Sequence, residues 1–273
     1  MDHATLPGVV VATRSAGVGE LLCTWRARRR VSQLELSLQA GVSQRHLSFV
    51  EIGRASPSRE LVLRLAAELD LPLRGRNALL LAAGYAPVYP ETPLQADELL
   101  PVRHALQKIL TGHEPFPAVV VDRSFDLVWS NEPARTILTD GVAPELLAPR
   151  PNTMRVALHP GGLAPRITNF PEYAAYLLAR LEREAALAPD HPVAELYKEV
   201  LTYPTVAEHD EPAPGTHLFI SLRLRALGDQ ELAFFSTIAT FGTARDITIA
   251  ELSIESFFPA DKTTSAALRA AFS

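Results

Sequence analysis

The stretch "SQLELSLQAGVSQRHLSFVEIGRASPS", residues 32–58, decides how the first third of this chain folds. Ser32 with Glu35 three residues on is a capping box: the hydroxyl caps a helix start and the carboxylate bonds back to it. Leu36 and Ala40 then share one helical face. Gly41 ends that helix, because glycine takes a left-handed turn at little steric cost. Val42 plugs the corner, and Ser43 caps a second helix. In that helix Leu47 and Val50 point inward. Gln44, Arg45 and Ser48 share the opposite face, with His46 and Phe49 at its edges.

A helix, a tight glycine turn and a second helix with a polar N-terminal face form the helix-turn-helix arrangement. Its polar residues suit base edges. Arginine bonds two acceptors of guanine, glutamine pairs with adenine, and short hydroxyls reach phosphates or bases. Gln33, at the start of the first helix, is placed for a phosphate, and Arg54, just past the second, is a further phosphate clamp. A polar helix face alone would also fit an ordinary bundle. The two caps, the Gly turn and the "VEIGRASPS" exit together favour double-stranded DNA.

Outward from this motif, helical periodicity runs from Val18 to about Gly84 in five short segments, an all-α domain. Three prolines in "AGYAPVYPETP" (83–93) suggest a hinge. Residues 1–17 lack periodicity and read as an arm, 18–90 as the DNA-binding domain, and 91–116 as a linker with a connecting helix. From 117 the period changes. "PAVVVDRSFDLVWSN" (117–131) reads as two strands, and residues 132–203 return to helix. Three period-2 runs follow, around 218–225, in "ELAFFSTIATF" (231–241) and in "ELSIESF" (251–257). Residues 117–273 are thus an α+β domain with a five-stranded antiparallel sheet.

Charge divides along the same line. The formal charge is −5 over 273 residues, but residues 1–90 carry 11 arginines, no lysine and 7 acidic groups, a balance of +4. The remainder carries −9. A basic head on an acidic body fits a polyanion partner for the head alone. No apolar run approaches the roughly 20 residues of a membrane span, and the N-terminus lacks the pattern of a signal peptide. The single cysteine, Cys23, excludes an internal disulfide and suits a reducing cytoplasm.

The whole run from Ser32 to Pro87 resembles the DNA-binding domain of XRE-type bacterial regulators, a lambda-repressor-like fold. The strings "PAVVVDRSFDLVWSN", "HPGGLAPRITN" and "FFSTIATFGTARDITIAELSIESFFPAD" resemble the MmyB-like ligand-binding domain of one branch of that family. The resemblance covers about residues 18–262. It implies a five-helix DNA-binding domain followed by a PAS-like sensor, helices over one face of a sheet with a cavity between them. It also implies a fatty-acid-like, lipophilic ligand. Ile52 departs from the polar or basic residue that many XRE relatives carry there.

Under that resemblance, Trp129, Met154, Leu158, Phe170, Tyr173, Leu177, Phe234 and Ile238 are candidates for the cavity wall. Asn131, Ser236, Thr240, Arg223 and Arg225 are candidates to orient a ligand. Each apolar residue taken singly fits plain core packing equally well. No zinc, nucleophile-elbow or dinucleotide motif occurs, so neither a catalytic set nor a cofactor is expected. The expectation is a cytoplasmic, homodimeric, ligand-responsive transcription regulator, a repressor by analogy with XRE proteins. The alternative is a ligand-independent DNA-binding protein whose second domain serves dimerisation or protein contacts.

Overall fold

Both expected serine caps in the first domain form, and a third, at Ser58, joins them. In the computed structural model, which describes residues 16–187, 191–207, 220–228 and 230–272, Ser32 Oγ accepts from the Glu35 N–H at 3.1 Å. Ser43 Oγ accepts from the His46 N–H at 3.1 Å, and Ser58 Oγ from the Leu61 N–H at 3.3 Å. The return bond of the capping box, from the Glu35 carboxylate, does not form among the described residues; Glu35 is exposed. The expected arm lies almost wholly outside the described residues.

The chain divides into two compact units, residues 1–90 and 91–273. The first contains α1 (Val18–Arg29), α2 (Gln33–Gln39), α3 (Gln44–Glu51), α4 (Arg59–Glu68) and α5 (Leu73–Ala82). Gly41 sits at φ +64°, which lets the Val42 N–H reach back to the Ser37 carbonyl at 2.9 Å and close α2. Leu22, Leu36, Leu47, Val50, Leu65 and Leu79 are buried together at the centre. Fully burying such a side chain contributes roughly 1.5–3 kcal/mol, so this cluster holds short helices that would be marginal alone.

The same cluster lets α1 and α3 approach closely. A Cβ on Gly19 would stand 2.2 Å from the Glu51 carbonyl oxygen, so glycine is required there for contact rather than for conformation. The segment read as a hinge is pinned along its first half. Asn77 Oδ1 accepts from the Val88 and Tyr89 N–H groups at 3.0 and 3.2 Å, and its Nδ2 donates to the Tyr89 carbonyl at 2.7 Å.

The second unit begins with α6 (Leu100–Gly112) and continues through β1 (Ala118–Val121), β2 (Leu127–Ser130), α7 (Glu132–Thr139) and α8 (Thr153–Leu158). Next come α9 (Phe170–Leu187), α10 (Pro192–Val200), α11 (Pro204–Ala207), β3 (Leu222–Ala226) and β4 (Gln230–Thr240). The chain closes with α12 (Ile247–Ala250), β5 (Ser253–Pro259) and α13 (Lys262–Phe272). The strands form one antiparallel sheet in the order β2-β1-β5-β4-β3. Strand β5, last in sequence, lies at the centre, in the PAS-like arrangement. The strand expected around 218–225 is observed from Leu222; residues 218 and 219 lie outside the described residues.

Two features differ from expectation. Helix α6 is part of the second unit: Leu106 and Leu110 pack beneath Val120 and Ile254. The sheet is therefore covered on both faces, α6 on one and the larger helical layer on the other. That is why all four residues of "AVVV" in β1 are buried instead of alternating. Helix α13 has no counterpart in the sequence reading. Its Leu268 enters the main core, and its Thr264 Oγ1 accepts from the Ala233 N–H at 3.0 Å, which ties it to β4.

Candidate functional site

One feature in each unit is a candidate binding site. In the first, α3 presents Gln44 and Arg45 exposed to solvent, with His46 and Ser48 half-buried beside them. The Arg45 guanidinium lies over the Phe49 ring, 5.3 Å from its centroid, which restrains a long side chain that would otherwise sweep freely. Ser43 Oγ accepts the cap bond and keeps its own O–H to donate. Arg54 is exposed on the turn after α3.

Behind this face lies a network that sequence reasoning missed. The Glu51 carboxylate accepts from Arg26 Nε at 2.9 Å and Nη2 at 3.2 Å, and from Gln33 Nε2 at 2.9 Å. It joins the ends of α1, α2 and α3, with only 4% of the Glu51 side chain exposed. Burial would push its pKa up, but the donors from Arg26 and Gln33 outweigh burial and hold it below the ordinary value. Gln33 is thus anchored at the first turn of α2. One of its side-chain donors is committed inward, while its position at a helix N-terminus still offers backbone N–H groups outward.

In the second unit a cavity of about 70 Å³ lies between the sheet and the larger helical layer. Met154 from α8, Tyr173 and Leu177 from α9, and Phe234 from β4 line it. All four were expected there. Among its polar lining is a pair that the sequence reading did not anticipate. Arg180 Nη1 and Glu255 Oε2 stand 3.0 Å apart, with 13% and 10% of their side chains exposed. Ser236 Oγ donates to the other Glu255 oxygen at 3.1 Å, and the Arg180 guanidinium covers the Phe125 ring at 5.0 Å. Read alone, Arg180 looks like the solvated face of "LLARLERE", and Glu255 like the outward position of an alternating strand. Only the buried "AVVV" hinted that both sheet faces are covered.

Several expected cavity residues stand elsewhere, each for a physical reason. Trp129 pairs with Val120 and so faces α6, on the opposite side of the sheet from the cavity. Asn131 is buried but fully engaged. Its Oδ1 accepts from the Ala118 and Ala134 N–H groups, and its Nδ2 donates to the Phe116 and Leu110 carbonyls. It caps α7 and staples it to β1, leaving nothing for a ligand. Leu158 and Phe170 are buried in the core but do not reach the cavity wall. Arg223 and Arg225 point to solvent from β3.

Ile238 pairs with Glu255 and so shares its face, yet it is 43% exposed. Thr240, two residues on, is exposed as well. Among the described residues, no helix extends over that end of β4. Ser236 acts through Glu255 and is not part of the wall itself. Among the described residues there is no group of three side chains suited to hold a metal ion, and no helix is long and apolar enough to cross a membrane.

A family model described as "MmyB-like transcription regulator ligand binding domain" matches residues 102–271. A second, described as "Helix-turn-helix", matches residues 24–75. No curated protein matches the chain significantly. Among solved structures, one titled "Structure of an RNA-binding Light-Oxygen-Voltage Receptor" is similar at 16% identity with a TM-score of 0.26. The similarity covers 94% of this chain and 62% of that one.

Proposed function

The chain belongs to the family of MmyB-like transcription regulator ligand-binding domains, joined here to a helix-turn-helix DNA-binding domain, and from that premise we propose a ligand-gated repressor. In this reading a homodimer places two α3 helices in successive major grooves of a two-fold operator, with half-sites about one helical turn apart. Gln44, Arg45, His46 and Ser48 meet base edges, while Ser43, Gln33 and Arg54 hold phosphates. A lipophilic effector, fatty-acid-like in its apolar chain, enters the cavity lined by Met154, Tyr173, Leu177 and Phe234 and changes operator affinity.

One observation carries this reading. The same chain that presents an exposed polar face on α3 with Arg45 braced over Phe49 holds, in its other unit, an apolar cavity with a buried polar corner. Such cavities with few oriented polar groups are the ordinary form of small-molecule sites. The cavity volume also bears on mechanism. About 150 Å³ suffices for benzene, so a 70 Å³ cavity admits a chain only if its walls part. Binding then selects a widened conformation, and a site that changes shape on binding is what an effector needs to act at a distance.

The small volume equally favours the alternative, in which the second unit takes no ligand and serves dimerisation or protein contacts. Denaturing mass spectrometry of freshly purified protein separates the two, alongside selection of bound duplexes from a random DNA library. A co-purified lipophilic molecule with an enriched two-fold DNA motif supports the gated regulator. A motif without any small molecule, and no binding from a lipid extract, would leave the alternative.

A further inference from the structure

The joint between the two units is shorter than the proline-rich run "AGYAPVYPETP" suggests. On one side Asn77, in α5, holds the Val88 and Tyr89 N–H groups and the Tyr89 carbonyl. On the other, Asp246 Oδ2 accepts from the Thr92 N–H at 3.1 Å. Arg103 Nη1 then donates to the Leu94 and Ala96 carbonyls at 2.8 and 2.6 Å, and the Leu94 side chain packs beside Leu252 and Ile254. At most two residues, Pro90 and Glu91, lie between the clamps.

Asp246 is a costly place for a charge. It is 7% exposed, and its carboxylate meets the backbone N–H groups of Thr92 and Ile249 but no cation among the described residues. Burying a carboxylate without a cation is unfavourable. Capping the short α12 does not require one, since serine caps a helix about as well. A serine would lack the second oxygen, and that oxygen holds the connection. Asp246 also stands in the loop that joins β4 to β5, and Phe234 of β4 lines the cavity together with Glu255 and Phe257 of β5.

We propose that Asp246 is a positioning residue for DNA binding. Through Thr92 it ties the DNA-binding unit to the β4–β5 connection by a joint too short to swing freely, and so fixes the distance between the two α3 helices of the dimer. A cavity that widens on binding moves these strands and resets that distance. This rests on the dimeric, effector-gated reading above and names the residue that carries its signal.

The test titrates full-length protein, without effector, against the selected operator and versions with one or two base pairs inserted or removed between the half-sites. Two base pairs displace a half-site by roughly 7 Å and rotate it by roughly 70°. The wild type should lose at least about tenfold in affinity on that change, because the second half-site leaves the reach of its reading helix. Asp246→Ser keeps the cap and frees the chain as far as Leu94, which lengthens the joint from two residues to four and its reach by roughly 7 Å. Its loss should stay under about threefold, with affinity for a single half-site unchanged. Asn77→Ala should broaden the tolerance from the other side, and it decides the matter if Asp246→Ser does not fold. Wild-type discrimination retained by the folded variants would overturn the role of the joint. Equal wild-type affinity at every spacing, with sedimentation showing two protomers bound, would overturn it too while leaving the dimeric reading intact. One protomer per duplex would overturn that reading and this inference with it.

Discussion

Arg45 stands braced on the exposed polar face of α3, its guanidinium 5.3 Å from the centroid of the Phe49 ring one helical turn further on. The ring limits the rotamers that arginine would lose on binding, so under the proposed role less entropy would be spent when it gripped a base. Arg45→Ala and Gln44→Ala should each weaken specific binding by roughly 1–3 kcal/mol, the worth of a good bidentate base contact. Each should also relax preference at one operator position. Phe49→Leu should lose affinity by a smaller amount with preference unchanged. Gel-shift titrations against operator variants check all three, and wild-type behaviour of both Arg45→Ala and Gln44→Ala would remove α3 from the interface.

Arg54 should behave in the opposite way, because phosphates carry no sequence information. Arg54→Ala should weaken binding to every duplex alike and reduce the slope of log affinity against log salt by about one. A variant with altered sequence preference and an unchanged slope would contradict the clamp role.

Gly19 carries a prediction about stability. Its missing side chain makes room for the Glu51 backbone carbonyl, which would stand 2.2 Å from a new Cβ. Backbone cannot swing aside as a flexible side chain can, so Gly19→Ala should cost about 1–3 kcal/mol through overpacking, despite alanine's better helix propensity. Thermal melting followed by helical circular dichroism should show the loss. An unchanged or raised melting temperature would mean that α1 and α3 can slide apart freely.

The two units should share a response to acid. Glu51 is held below its ordinary pKa of 4.5 because its donors outweigh its burial. Glu199 is held below the same value chiefly by Arg155, which grips both of its oxygens at 2.7 and 2.6 Å. A folded-state pKa below the unfolded one gives stability that is fully present above the unfolded value and is lost as pH falls through the folded one. Melting temperature should hold from neutrality down to about pH 5 and fall below about pH 4. Glu51→Gln should flatten the share of the helix-turn-helix unit. Stability that rose on acidification through this range would contradict both ion-pair assignments.

Much of the molecule was legible in the sequence, for reasons that differ between the units. In the helix-turn-helix unit the signals are local. Ser32, Gly41 and Ser43 act within three or four residues of themselves, so caps and turns can be read directly. The cavity is assembled from α8, α9, β4 and β5, which are distant in sequence. Periodicity could place Met154, Tyr173, Leu177 and Phe234 inside, but not say which sheet face Trp129 would share. Asn131 looked like a ligand group because its four backbone partners come from three separate segments. Arg180 and Glu255 were missed because a charge is buried only where another element brings its partner, and that partner is 75 residues away. Helix α13 escaped notice because "KTTSAALRAAF" is rich in small residues and carries few large apolar side chains to mark its face.

The central claim is that what occupies the cavity alters what α3 does on DNA. It is tested most directly by titrating one operator with full-length protein, with and without a saturating amphiphile already shown to bind. Coupling between sites is typically 1–3 kcal/mol, so operator affinity should change about 5–150-fold. Ala157→Leu, which fills the cavity from its wall, should abolish the change while leaving affinity without effector intact. Equal operator affinities with the amphiphile bound and absent would contradict the account.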